Sequence, residues 1–141
     1  MKKLIFILFL LPAIMFAQSA RDINLVIKKT LDLEVLKKHY NGDEMSGQTP
    51  LIIINDDKIP NNLIVFKFDK RVKIMTFDEI ETFKNIYKGS LDSYFIFEVM
   101  HFEGDSVLIK ATFRKANPLK IEVTMTKKDR DWVVASSSVE E

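Results

Sequence analysis

The sequence predicts an α+β fold, in which a curved antiparallel sheet that ends in a four-strand meander carries two helices on one face. Two observations predict this class. From Tyr94 to Ala135, apolar and polar residues alternate in segments separated by short polar turns, which indicates strands that pair with their neighbours. Before this stretch, residues 22–40 and 77–87 have the composition and spacing of helices.

The beginning of the chain reads as a separate unit. Two lysines precede an apolar run from Leu4 to Phe16, and the run ends at the small residue Ala17. This arrangement is typical of a secretory signal peptide, so we expect residues 1–17 to be removed and residues 18–141 to form a single α+β domain.

The cleavage site has one alternative. Cleavage after Ala17 places Met15 at the third position before the cut, whereas cleavage after Ser19 places Ala17 there. The lysine start, the short apolar core and the Ala-Gln junction resemble the signal peptides of envelope proteins of Bacteroidetes. This resemblance implies a protein that is periplasmic or secreted.

Composition limits the classes of function. The chain has no cysteine, which excludes disulfides and a lipid-modified N-terminal cysteine. Without Lys2 and Lys3 the 21 basic residues fall to 19, against 20 acidic ones, which leaves a formal charge of −1. Such a chain has no overall positive field to attract nucleic acid. No apolar run after the leader approaches the ~20 residues of a spanning helix, so we expect no integral membrane segment.

The first predicted element of the domain is a helix over residues 22–40, where apolar residues are interspersed with pairs of lysines. A strand over residues 23–27 followed by a shorter helix is the alternative, because the apolar residues of this segment also alternate. His39 falls at the end of the helix, where a partial positive charge suits the helix dipole. Asn41-Gly42 is a stop signal, and the polar run 43–50 reads as a loop.

Three short segments rich in β-branched residues follow, and we expect a strand over each of 51–54, 63–68 and 72–74. A second helix then begins after Thr76, because a threonine followed by a glutamate three residues later, here Glu79, forms a capping box. Gly89 supplies the left-handed cap at its end. The apolar stripe of this helix consists of Phe77, Ile80, Phe83 and Tyr87.

The pairing of the first two meander strands depends on the loop between them. A period of two places these residues on one face of the first strand: Phe95, Phe97, Val99 and His101. A three-residue loop sets Val99 opposite Ile109 and Phe97 opposite Ala111, which keeps the apolar side chains together. A two-residue loop would set Val99 opposite Lys110, so we predict the three-residue loop.

The last two strands follow the turn at Asn117-Pro118, which cannot continue a central strand. Ile121, Val123 and Met125 alternate with polar residues in the third strand. The fourth strand starts at Trp132. We expect this indole to be buried against the stripe of the second helix, formed by Phe77, Ile80 and Phe83.

The order of helix, short strands, helix and meander, together with the stretch Lys127 to Val134, resembles the NTF2-like and cystatin-like families. The resemblance implies a bent sheet that wraps over helices and can leave a cone-shaped cavity. These families have no universal catalytic motif, so no functional residue is carried over to this chain. The long first helix pair that is usual in the families is not evident in the sequence.

Candidate site residues follow from the predicted cavity between sheet and helices. The candidate ligand contacts are His101, Glu98, Tyr94 and Tyr87, although the apolar face on which His101 falls favours a structural role for this residue. His39 and His101 are the only histidines and are far apart, so the sequence predicts no metal site and no cofactor. The cluster Lys67, Lys70, Arg71 and Lys73 could bind an anionic glycan or lipid headgroup, but its alternation with apolar residues favours a solvated face.

The sequence contains no arrangement of residues with the spacing of a catalytic site. The leading hypothesis is therefore an exported, non-catalytic domain that binds a small ligand or an envelope protein. The alternative is a small hydrolase or isomerase that uses His101 with a carboxylate such as Glu98 or Glu122. The identity of the ligand or partner and the oligomeric state stay open.

Overall fold

A computed structural model describes residues 19–56, 58–60, 62–87, 91 and 93–141. The predicted leader and the predicted cap residue Gly89 lie outside the described residues. The described part of the chain has an α+β fold built on an open six-stranded sheet, most of which is an antiparallel meander. The predicted fold class is confirmed.

The predicted helix over residues 22–40 is two helices, α1 (Ala20–Leu31) and a 3₁₀ helix (Glu34–His39). The alternative strand over 23–27 is wrong. The α-helix ends because Leu33 turns to extended backbone, after which Leu33, Leu36 and Tyr40 are all buried in the core. The predicted loop after Asn41 contains helix α2 (Gly42–Ser46), whose capping box of Asn41 and Glu44 was present in the sequence.

The remaining elements are one helix and eight strands of the described residues. Helix α3 (Phe77–Lys84) begins as predicted, with the Thr76 hydroxyl accepting from the Glu79 amide at 3.1 Å. The segment 63–68 forms a strand only at its end. The strands are β1 (Ile52–Ile54), β2 (Phe66–Lys67), β3 (Lys70–Arg71), β4 (Lys73–Met75), β5 (Tyr94–Glu103), β6 (Ser106–Arg114), β7 (Leu119–Lys128) and β8 (Asp131–Glu140).

The sheet has the order β4-β1-β5-β6-β7-β8, and β2 and β3 form a separate two-stranded hairpin. Strands β5 to β8 are the predicted antiparallel meander. Strand β1 runs parallel to both β4 and β5, so the sheet is mixed at this end. Helix α3 connects β4 to β5 across β1, as parallel pairing requires a crossover.

A β-bulge at Glu98 changes the predicted register of the first hairpin. Phe97 lies opposite Ala111 as predicted, but Val99 lies opposite Lys110 rather than Ile109, and the turn has two residues. The extra residue reverses the side-chain alternation beyond the bulge. Met100 and Phe102 therefore pack on the core, and the predicted placement of Val99 and His101 on the core face is wrong.

The two main helices lie on opposite faces of the sheet, which corrects the prediction of both helices on one face. Helix α1 packs on the face that we call the inner face, where Val26, Ile27 and Leu31 join Phe95 and Trp132 in the main core. Helix α3 packs on the outer face, where Ile80 joins Ile52 and Ile54. The three isoleucines of β1 are all buried, which requires cover on both faces of a parallel strand.

Trp132 is buried as predicted, with no exposed surface, but its neighbours differ from the prediction. Its indole Nε1 donates to Asp22 Oδ1 of α1 at 3.0 Å, and its ring meets Phe102 edge to face at 5.6 Å. The α3 stripe is on the other face, where Phe77 is 52% exposed. The expected packing of Trp132 against α3 is therefore wrong.

Candidate functional site

A pocket of about 730 Å³ lies at the end of the sheet where β5 begins and where the chain turns from β6 into β7. We call it the end pocket. Three cationic residues line it together with one tyrosine, one histidine and one carboxylate. Its lining consists of His39, Asn41, Lys84, Ser93, Tyr94, Arg114, Lys115, Ala116, Asn117, Leu119 and Glu141.

Lys115 in the end pocket is held by a buried carboxylate. Its Nζ lies 2.8 Å from Oε1 of Glu44, which is 1% exposed, and also donates to the carbonyl oxygen of His39. The same Nζ lies 4.6 Å from the centre of the Phe113 ring. A buried carboxylate needs such a partner, because its desolvation costs several kcal/mol. Lys115 is thus fixed in place before any ligand arrives.

The other oxygen of this carboxylate, Glu44 Oε2, is buried and has no hydrogen-bond partner among the described residues. Oε1 also accepts from the Asn41 amide at 3.4 Å, so the capping box and the ion pair share one oxygen. Glu44 therefore connects the fold of the short helix α2 to the position of the cation in the end pocket.

Tyr94 and Arg114 are directly opposite each other on β5 and β6 and so share one face of the sheet. The Tyr94 ring meets Phe77 of α3 edge to face, with centroids 5.7 Å apart. Lys84 lies at the end of α3 and pairs with Glu81 at 3.3 Å. The pocket is thus formed by residues of the 3₁₀ helix, of α3 and of the meander.

The four residues predicted to contact a ligand are not brought together. Tyr94 lines the end pocket. Tyr87 has a structural contact, since its hydroxyl donates to the Gln48 carbonyl and its ring stacks on Phe83 at 5.5 Å. Glu98 accepts from the Thr112 hydroxyl and lines a separate depression of about 310 Å³ on the outer face.

His101 lies near the β5–β6 turn with 67% of its side chain exposed. Its Nε2 is 3.8 Å from Oε2 of Glu103, whose side chain is even more exposed, and Glu98 and Glu122 are not its partners. His101 lines none of the pockets described in this section. The bulge at Glu98 explains this position, because it turns the His101 side chain away from the core.

The hairpin formed by residues 66–71, which we call the basic hairpin, is anchored by Lys67. Its Nζ lies 2.6 Å from Asp32 Oδ1 and 4.8 Å from the centre of the Phe68 ring. Burial raises the pKa of Asp32, but the hydrogen bonds from Lys67 and Lys28 outweigh it and hold this pKa below its usual value. Lys67 is therefore committed to the fold, which the sequence did not indicate.

A smaller pocket of about 200 Å³ separates this hairpin from the loop after α2. Lys70, Arg71 and Lys73 line it and are exposed, and Glu44 lies at its wall. Gly47 has φ +79°, and a Cβ there would lie 2.8 Å from Cε of Lys70. The stem of Lys70 thus lies across Gly47 at the rim of the pocket.

Within the described residues, no three histidine, cysteine, aspartate or glutamate side chains form a group that could hold a metal ion. The helices of the described residues are all too short or too polar to cross a membrane. What sequence reasoning missed is the pair of Lys115 and Glu44, with Arg114 beside it. The only signals were the capping box at Asn41 and the two cations before the turn at Asn117.

Comparison of the chain with protein-family models, with curated protein sequences and with solved structures gives no match. The resemblance to NTF2-like and cystatin-like domains stays a prediction. Function is therefore argued from the geometry and chemistry of the sites themselves.

Proposed function

We propose that this protein is an exported, non-catalytic domain that binds an anionic small molecule in the end pocket. The observation that carries the proposal is that Lys84, Arg114 and Lys115 line the same pocket of about 730 Å³ as Tyr94, with Arg114 directly opposite Tyr94 in the sheet. Pockets of this size take ligands of ordinary metabolite dimensions. Glu141 also lines the pocket and offsets part of this positive charge.

Each residue has a distinct role in this proposal. The guanidinium of Arg114 supplies a planar fork of donors that matches a carboxylate or phosphate group. Lys115 contributes a donor that Glu44 and the His39 carbonyl already hold in position, so little side-chain entropy is lost on binding. Because Glu44 pairs with Lys115 and Glu81 pairs with Lys84, most of the attraction for an anion comes from Arg114. Tyr94 offers an aromatic wall and a hydroxyl.

The alternative, a hydrolase or isomerase that uses His101, lacks a supporting observation. A substrate at His101 would be surrounded by bulk water, where a general base gains little from its site. Glu98 is already engaged by Thr112, and Glu122 lies opposite Lys110 in the sheet. The inner face, where the predicted cavity would lie, is occupied by buried apolar side chains.

Export is part of the proposal, and the cap of α1 bears on the cleavage site. The Ser19 hydroxyl accepts from the Asp22 amide at 3.1 Å and donates to the Asp22 carboxylate at 2.8 Å. Cleavage after Ala17 leaves this cap intact, whereas cleavage after Ser19 removes a cap that is typically worth about 1 kcal/mol. We therefore expect a mature N-terminus at Gln18. Mass spectrometry of protein from the envelope fraction tests this, and an intact Met1 on a cytoplasmic species contradicts it.

Binding can be tested with defined anions. Citrate and inorganic phosphate are titrated into the isotope-labelled protein while the amide signals are followed by NMR. We expect shifts at Tyr94 and Asn117, and a loss of affinity of at least about 10-fold in Arg114→Gln, since a bidentate ionic contact contributes ~1.5–3 kcal/mol. Lys110→Gln, on the outer face, is the matched control and should bind as the parent does.

Two outcomes contradict this assignment. If neither anion shifts the amides of the end pocket, the pocket does not select anions. If Arg114→Gln and Lys110→Gln lose affinity equally, binding reflects overall charge rather than a site. His101→Gln serves as a further comparison, because the enzyme hypothesis alone predicts that it changes a ligand response.

A further inference from the structure

The segment 63–66, which leads into the basic hairpin, exposes two large apolar side chains. Leu63 and Val65 are 4% and 2% exposed and pack in the main core, whereas Ile64 and Phe66 between them are 51% and 54% exposed. Single exposed apolar residues are common on protein surfaces. Here two of them follow the same alternation and lie beside a cluster of cations, which calls for a common explanation.

Two arginines lie beside these two side chains. Arg71 lies directly opposite Phe66 in the hairpin and so shares its face, while Arg21 lines the same pocket as Ile64, with a volume of about 250 Å³. Lys70 lies opposite Lys67 on the other face of the hairpin, and Lys73 Nζ is 5.4 Å from the centre of the Phe83 ring of α3, but both lysines are exposed and add positive charge to this region. Between residues 63 and 75 the sequence has four basic residues and a single acidic one, Asp69 at the turn. A chain with a formal charge of −1 after removal of its leader thus has a local positive surface.

The hairpin holds this surface in a fixed shape. Phe68 and Asp69 form its turn with φ of +53° and +59°, a conformation that is unfavourable for a bulky residue such as phenylalanine. The Phe68 ring offsets this by meeting Tyr40 edge to face at 5.1 Å, beneath Lys67. Because Phe68 and Lys67 are tied to the core, Phe66 and Arg71 are held on the outside.

We propose that Ile64, Phe66, Arg21 and Arg71 dock on an anionic lipid surface, and that the exposed Lys70 and Lys73 add positive charge at its edge. This inference goes beyond the proposed function and does not depend on the end pocket. Apolar side chains that reach the boundary of headgroups and acyl chains, combined with cations that contact lipid phosphates, form the two signals that peripheral binding requires. Asp69 opposes the attraction, and the other cations outweigh it.

A lipid surface fits these observations better than an acidic protein partner. Two separate apolar side chains cover too little area for a stable protein interface, which buries roughly 1,200 Å² or more with close complementarity. A bilayer deforms around inserted side chains and presents phosphates at any position. The interpretation of this cluster as a merely solvated face, suggested by the sequence, does not account for the exposure of Phe66.

The test is cosedimentation of the protein with vesicles. We expect binding to vesicles of phosphatidylethanolamine with phosphatidylglycerol, little binding to phosphatidylcholine vesicles, and a decrease with added salt. The double variants Ile64→Ser/Phe66→Ser and Lys70→Glu/Arg71→Glu should each bind at least about 10-fold more weakly. These residues are exposed, and circular dichroism verifies that the variants fold.

Matched controls separate this surface from general properties. Phe77→Ser removes another phenylalanine that is 52% exposed, and Lys110→Glu/Lys120→Glu reverses two charges on the outer face. Both should bind vesicles within about twofold of the parent, because neither alters the hairpin. Arg114→Gln should also bind as the parent does, so that failure of the end-pocket proposal is distinguishable from failure of this one.

Three results overturn the inference. Equal binding to anionic and neutral vesicles would mean that the cations do not contribute to binding. If the control variants lose as much vesicle affinity as the hairpin variants do, the hairpin is not the binding surface. If inorganic phosphate shifts the amides at Lys70 and Arg71 and displaces vesicles completely, while Ile64→Ser/Phe66→Ser binds vesicles normally, the cations form a site for free phosphate rather than a surface for lipid.

Discussion

The inner and outer faces of the sheet are formed by the same strands but differ in what covers them. On the inner face, apolar side chains extend from β1 to β8 beneath α1, and they include Phe95, Ile109 and Trp132. On the outer face, α3 covers only the end around β1, and the meander there presents threonine, serine, lysine and glutamate. Both candidate binding surfaces lie at the margins of this cover.

Which side chains stabilise the fold depends on what packs over each face of the sheet, and not only on the alternation of apolar and polar residues along a strand. Strand β1 is apolar on both faces and is buried on both, because Ile53 joins the main core on the inner face, while Ile52 and Ile54 join Ile80 of α3 on the outer face. Strand β8 is buried at Trp132 but exposed from Val133 to Ser138.

Trp132→Ala should cause the largest loss, about 3 to 5 kcal/mol in the free energy of unfolding, because it removes a fully buried indole from the inner face. It also leaves Asp22 Oδ1 without its indole donor. Urea denaturation measures the loss. Trp132→Phe is the control, since it preserves much of the apolar volume, and a cost below about 1 kcal/mol for the alanine variant would contradict the burial.

Two isoleucines on helices allow a direct comparison of the faces. Ile27 of α1 is 0% exposed in the main core, and Ile80 of α3 is 2% exposed in the smaller cluster. We expect Ile27→Ala to cost about 4 kcal/mol and Ile80→Ala about 2, because the site at the small cluster can collapse more easily around the cavity. Chemical denaturation of both variants decides this, and equal costs would remove the distinction between the faces.

Acidification should lower the free energy of unfolding through protonation of Asp22, which contacts Trp132 on the inner face. Burial raises the pKa of Asp22, but hydrogen bonds from Trp132, Ser19 and Lys127 outweigh it and lower this pKa below its usual value near 3.8. A lowered pKa contributes stability that is present above the unfolded pKa and is lost as the pH falls through the folded one. Asp22→Asn should therefore lose less stability on acidification below about pH 4 than the parent does.

This pH dependence is measured by urea denaturation in steps from pH 6 to acid. Asp69→Asn, at the exposed turn of the basic hairpin, is the control, because asparagine tolerates the same backbone conformation. If Asp22→Asn and the parent lose stability in parallel, the carboxylate is not responsible.

The smallest effect is expected on the outer face. The hydroxyls of Thr124 and Ser136 are 2.6 Å apart on β7 and β8 and are exposed. Ser136→Ala should change the free energy of unfolding by no more than about 0.5 kcal/mol, because water replaces the lost partner. Thermal denaturation is sufficient to detect a larger loss, which would mean that the polar face contributes to stability.

The features that could be predicted from the sequence are those that depend on residues close together in the chain. The period of two predicted the meander, since β5 to β8 pair with strands adjacent in the chain. The threonine at 76 and the glutamate three residues later predicted the start of α3. The burial of Trp132 followed from its size and its position at the start of an apolar segment. Each inference used residues close together in sequence.

Three features depend on the tertiary structure: which strand residues are buried, which face of the sheet each helix covers, and which residues meet at the candidate sites. The bulge at Glu98 exists because Met100 and Phe102 are buried in place of Val99 and His101, a choice between two registers that local alternation cannot make. Which face a helix covers depends on the whole path of the chain. The contacts that position the sites join residues far apart in sequence, with separations of 71 for Lys115 and Glu44 and 110 for Trp132 and Asp22. No local pattern encodes such contacts, because they form only when the packed core brings the two segments together.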